Sequence, residues 1–214
     1  MPSIGIKVEE HFQTAQQQHE TAKLGMWTFL ATELLLFSGL FLTALVTRVL
    51  HPDSVTAAAL HLKFWIGATN TAILICSSLT MSIAIELSRM GWQKLMVRFM
   101  LLTAALGVIF LMLKGYEYFR DYREHVMPFL PNYRFELVGD PAARLFIDLY
   151  FITTGLHALH LTIGIGLMLV MSLLASRKGF LQNHFHRIEI VGLYWHFIDL
   201  IWMIVFPTLY LLNR

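Results

Sequence analysis

The chain has 214 residues, of which 57% are hydrophobic and 14% charged, with a formal net charge of +2. A soluble domain carries roughly 25% charged residues, so an ordinary soluble fold is excluded. So weak a charge, without a long basic run, also excludes nucleic-acid binding. The single cysteine, Cys76, sits in an apolar stretch, which rules out an intrachain disulfide and predicts a buried thiol. Residues 1–24 are polar and lack the apolar core of a cleavable signal, so the first membrane helix is expected to do its own targeting.

Five segments are long and apolar enough to cross a bilayer, at about 25–48, 65–87, 96–117, 144–176 and 189–212. Together they predict an all-α integral membrane bundle forming one domain over 1–214. The first segment holds Glu33 inside Met26–Val46, with no other charge. A charge at that depth costs roughly 2.5–3.5 kcal/mol, so Glu33 is expected to face a partner or cavity. The bland alternative is a protonated glutamate hydrogen-bonded for packing alone. In the second segment Gly67, Thr71, Ser78 and Ser82 share one face, with Asn70 beside it, and read as a helix-packing seam.

After the third segment, Phe119–Ala143 carries Pro128, Pro131 and Pro141 among aromatic and charged residues, which suggests an ordered interfacial loop. The fourth segment exceeds a straight crossing, predicting tilt or an extension. It places His157 and His160 on one face, followed by Gly164. In the fifth, Glu189, His196 and Asp199 lie near one face, with Tyr194, Trp195 and Trp202 nearby. These histidines admit three readings: haem or metal ligation, a proton relay with Glu33, or hydrogen bonding to buried acids and lipid head groups. Convergent ligands with metal spacing are not visible, which favours hydrogen bonding. Basic residues divide evenly between the two sides, and the dense 88–98 and 177–187 turns tilt the reading toward a cytoplasmic N-terminus and periplasmic C-terminus.

Several stretches carry a family resemblance. They are Trp27-Thr-Phe-Leu-Ala-Thr-Glu33, Asn70-Thr71 with Ser77-Ser78, Leu106-Gly107 with Phe110 and Glu117-Tyr118, Gly155-Leu-His157-Ala-Leu-His160, and Tyr194-Trp195-His196-Phe197-Ile198-Asp199-Leu-Ile-Trp202. In this order they resemble subunit III of the haem-copper respiratory oxidases, in a five-helix bacterial form lacking the two extra N-terminal helices of longer members. Leu156 departs from the usual phenylalanine. Lys114 stands where many relatives carry glutamine, and near a membrane boundary it can snorkel toward water. Quinol-type and nitric-oxide-reductase-associated relatives often carry aspartate at the Glu33 position, so Glu33 favours the cytochrome c oxidase branch.

The resemblance implies a subunit of an aerobic terminal oxidase in the bacterial inner membrane, with no catalytic residue, metal or redox cofactor of its own. It implies packing on oxidase subunits I and II, which hold the haem and copper, and an electron donor such as cytochrome c acting on the complex. A place in a respiratory supercomplex would be compatible. It further implies bound phospholipid in a cleft between a two-helix and a three-helix group, and support of proton uptake and turnover stability. Glu33 would pair with His157 or, preferably, His160, while Asn70, Glu117, Tyr194, Trp195, His196, Asp199 and Trp202 would anchor helices or lipids. A quinol oxidase or nitric-oxide-reductase-associated subunit III is the nearest alternative. A standalone haem-binding cytochrome and a proton-coupled transporter are alternatives of another class.

Overall fold

The computed structural model describes residues 15–60, 62–127, 140–176 and 180–211. Six α-helices follow in chain order: α1 Ala15–Leu50, α2 Pro52–Ala59, α3 Phe64–Arg89, α4 Gln93–Arg123, α5 Pro141–Ala175 and α6 Phe180–Phe206. A π-helical turn, Pro207–Leu211, completes the described chain. All except α2 are long and apolar enough to cross a membrane. Helix is the required answer, since hydrocarbon offers the backbone no partner other than itself. Serine and threonine hydroxyls on the outer face of α1 obey the same rule. Thr28, Ser38 and Thr43 each donate to the carbonyl four residues back.

Several expected boundaries move. The third segment was expected to end near 117, yet α4 runs on to Arg123, because Lys114 and Glu117 satisfy one another instead of ending the helix. The connection after α1 folds into α2, too short and polar to register as a span, with Pro52 at its first turn and Val55, Ala58 and Ala59 buried. Pro141 opens α5, where Asp140 accepts from the amides of Ala142 at 2.9 Å and Ala143 at 3.4 Å. The Ser54 hydroxyl and those amides hold the Asp140 carboxyl below the usual carboxylate range. Residues 128–139 of the expected loop, with Pro128 and Pro131, lie outside the described residues, as do 1–14 of the polar N-terminal segment. Gly91, at φ +79°, makes the turn between α3 and α4, a conformation that favours glycine.

α6 is the hub, flanked by α1, α3 and α5, while α4 packs between α3 and α5. α1 lies along α5 and α6, while the small-residue face of α3 is taken up by α6 and its other side by α4. Lipid supplies no hydrophobic drive for helix association, so close approach and hydrogen bonds must hold these contacts. Glycines permit the approach. A Cβ on Gly107 would sit 2.8 Å from the Trp195 ring, one on Gly164 3.1 Å from it, and one on Gly67 2.9 Å from Phe206. Cys76, expected inside, is exposed on the outer side of α3, since the buried face runs through Leu74, Ser77 and Met81.

Candidate polar sites within the bundle

Glu33 projects from α1 toward α5, where its Oε2 lies 3.1 Å from Nε2 of His160. The other ring nitrogen, Nδ1, is 2.8 Å from the Leu156 carbonyl, an acceptor only, so Nδ1 carries a proton. One further proton is then shared between Nε2 and the carboxyl. A neutral pair, with Glu33 donating, and an ion pair, with His160 donating, contain the same atoms. Tyr194 of α6 donates to the His160 carbonyl at 3.1 Å, and the Phe37 ring meets the imidazole edge-on at 5.8 Å. Three helices therefore fix one proton-sharing pair at mid-membrane depth.

His157 makes no hydrogen bond to this pair. It is buried, its ring nitrogens have no hydrogen-bond partner, and the rings of Phe110 and Trp202 lie 5.5 Å and 5.0 Å away. The two histidines border one small cavity, as their spacing implies, but only His160 meets Glu33. Among the described residues no group of three or more His, Cys, Asp or Glu side chains could hold a metal ion.

The α3 seam is hydrogen-bonded to α6 as well as close-packed. Ser78 and Ser82 hydroxyls lie 2.8 Å and 3.4 Å from the two ring nitrogens of His196. Trp195 Nε1 donates to Ser77 at 3.2 Å, and Trp202 Nε1 donates to Thr71 at 3.1 Å. Asn70 is wholly buried on this seam, and neither its amide oxygen nor its nitrogen finds a partner. Asp199 is 5% exposed, and neither carboxyl oxygen makes a hydrogen bond of normal geometry, although Ser78 stands close by.

Glu117 belongs to a third cluster, which sequence reasoning missed. Lys114 Nζ donates to Glu117 Oε2 at 2.8 Å, Tyr150 at 3.0 Å and Tyr210 at 2.6 Å, so all three of its protons have acceptors. Tyr210 in turn donates to Glu117 Oε1 at 3.0 Å. Lys114 is 3% exposed, so it does not snorkel; a carboxylate one turn away and two tyrosines replace the water it would seek. The π-helical turn, entered at Pro207, which has no N–H to continue the α-helix, carries Tyr210 into this cluster. The legible signal was Lys114 and Glu117 three residues apart in an apolar helix.

Glu189 lies at the opposite end of the bundle. It accepts from Arg89 of α3 at 2.9 Å and lies 3.6 Å from Lys23 of α1, joining α6 to both helices. Both cations are substantially exposed, so the pairs are screened by solvent and weak. Exposed Trp27 and Trp92 stand near this end, while exposed Trp65 and Tyr122 stand near the other. Such a distribution matches aromatic belts at two membrane interfaces.

Residues 6–214 match the family described as cytochrome c oxidase subunit III. The chain is also similar to the probable quinol oxidase subunit 3 of Staphylococcus haemolyticus (strain JCSC1435), at 30% identity over 89% of each chain. To the protein of the same description from Staphylococcus aureus (strain USA300) it is 30% identical over 91% of this chain and 90% of the relative.

Proposed function

Because the chain belongs to the cytochrome c oxidase subunit III family, we propose that it is a non-redox subunit of an aerobic terminal oxidase in a bacterial inner membrane. Membership carries association with other oxidase subunits. In our reading the chain packs on the catalytic subunit, holds phospholipid, and supports proton uptake and turnover stability while partner subunits, bearing haem and copper, reduce oxygen to water. Its N-terminus faces the cytoplasm and its C-terminus the periplasm.

The observation that carries this reading is the Glu33–His160 pair. It is a proton-sharing carboxyl and imidazole, fixed by Tyr194, at a depth where an unpaired acid would be disfavoured. The neighbouring side chains supply no acyl or phosphoryl chemistry, so positioning and proton sharing are what the site offers.

Two electron donors compete. The glutamate at position 33 supports a cytochrome c oxidase. The names of the Staphylococcus relatives support a quinol oxidase. Purified complex assayed with reduced cytochrome c and with a quinol separates them.

The pair itself is tested by substitution in the intact oxidase. Glu33→Gln keeps shape and a hydrogen bond to Nε2, and is expected to assemble with normal lipid content. Glu33→Ala leaves Nε2 unpartnered; intramembrane hydrogen bonds are worth about 0.6–1.7 kcal/mol, so retention should fall roughly three- to fifteen-fold. Lipid per complex and turnover lifetime are the readouts. An alanine variant with full lipid content and normal lifetime would reduce Glu33 to packing.

A further inference from the structure

We propose that a groove between α3 and α6 seats a transmembrane helix of the partner catalytic subunit, which donates a hydrogen bond to Asp199. The groove has a volume of about 340 Å³, and Asp199 lines it together with Leu74 and Ser78. Its rim is apolar and open: Ile75 and Leu79 on α3, and Leu200 and Met203 on α6, are 48–62% exposed. On each helix the two rim residues are three or four apart, so the rim runs along both helices, the shape that a third helix fills. α1 does not close it, because α1 lies along α5 and α6.

What selects the occupant is Asp199. It is nearly enclosed; the Ser78 hydroxyl stands beside it, yet neither carboxyl oxygen makes a hydrogen bond of normal geometry. A buried polar group whose hydrogen-bonding capacity is unfilled is costly, and an intramembrane acid most of all, so one neighbouring hydroxyl leaves Asp199 room for a further donor. His196 cannot serve it, because its ring nitrogens already face Ser78 and Ser82. A lipid head group cannot reach it either, since Asp199 lies near the midpoint of the His186–Tyr210 span. A helix laid in the groove with a hydroxyl, indole, amide or cationic donor supplies what is lacking and covers the apolar rim in the same step.

This inference rests on the subunit reading above, and the test separates the two. A photoreactive residue is placed at Leu79 or Leu200 in the otherwise native chain, and at Leu173 on α5 as a comparison face. The whole complex is purified in mild detergent after irradiation, and adducts are read by peptide mass spectrometry. Adducts joining Leu79 and Leu200 to a membrane-spanning peptide of the catalytic subunit are expected. With Asp199→Ala their yield should drop roughly three- to fifteen-fold, the range of one intramembrane hydrogen bond. Asp199→Asn, which retains an acceptor, should restore most of it and controls for misfolding.

Rim adducts only with lipid or with a second copy of this chain would overturn the inference, as would capture of the catalytic subunit at Leu173 alone. An unchanged rim yield in Asp199→Ala would also overturn it. If the catalytic subunit fails to co-purify with the unsubstituted chain, the subunit reading itself falls.

Discussion

Replacing Lys114 with alanine is expected to destabilise the subunit by about 3–5 kcal/mol, the cost of removing one partner from a buried ion pair. Glu117 is 1% exposed and accepts from Lys114 and Tyr210. Without the ammonium the carboxylate keeps a single donor in a site closed to water. Tyr150 and Tyr210, whose hydroxyls lie 3.2 Å apart, lose the cation that holds them together. The effect should therefore spread to three elements: α4, α5 and the π-helical turn. Thermal unfolding of the purified complex measures it. Lys114→Met combined with Glu117→Gln removes both charges and should recover most of the loss, since a buried ion pair is itself only a weak source of stability. A Lys114→Ala variant within about 1 kcal/mol of the parent would show that water reaches the cluster.

Trp195→Ala should be nearly as damaging, at about 3–5 kcal/mol, the usual cost of truncating a fully buried aromatic. Its ring is wedged against Gly107 of α4 and Gly164 of α5, and its indole donates to Ser77 of α3. One side chain thus ties α6 to three neighbours. Most of the loss is packing, because lipid offers no hydrophobic drive to offset it. Trp195→Phe keeps part of the ring and should fall between. Detergent-resistant association of this chain with its complex, followed against temperature, provides the measurement. Equal stability of Trp195→Ala and the parent would contradict the wedge.

Hydropathy made the five spans legible because a bilayer imposes both length and composition on a helix. It could not give their neighbours. Gly67, Thr71, Ser78 and Ser82 announced a contact face, yet only the fold shows that α6 fills it and leaves α1 on the far side. Glu33 was legible for a similar reason, being a lone acid that needed a partner. Spacing alone did not choose between His157 and His160, because residues three apart share a helical face broadly; the preference for His160 came from the family resemblance, and the rotation of α5 brings that imidazole to α1. The Lys114 cluster was obscured because helix-end charges ordinarily reach for water. Its two tyrosines come from positions far apart in the chain, joined by a π-helical turn that no periodicity announces.

The central claim is that this chain is a resident subunit of a terminal oxidase. It is tested most directly by mass spectrometry of what co-purifies with the tagged chain from its native membrane in mild detergent. Haem-copper catalytic subunits recovered in constant ratio to it are the predicted result. Recovery of the chain alone across gentle conditions would contradict the account.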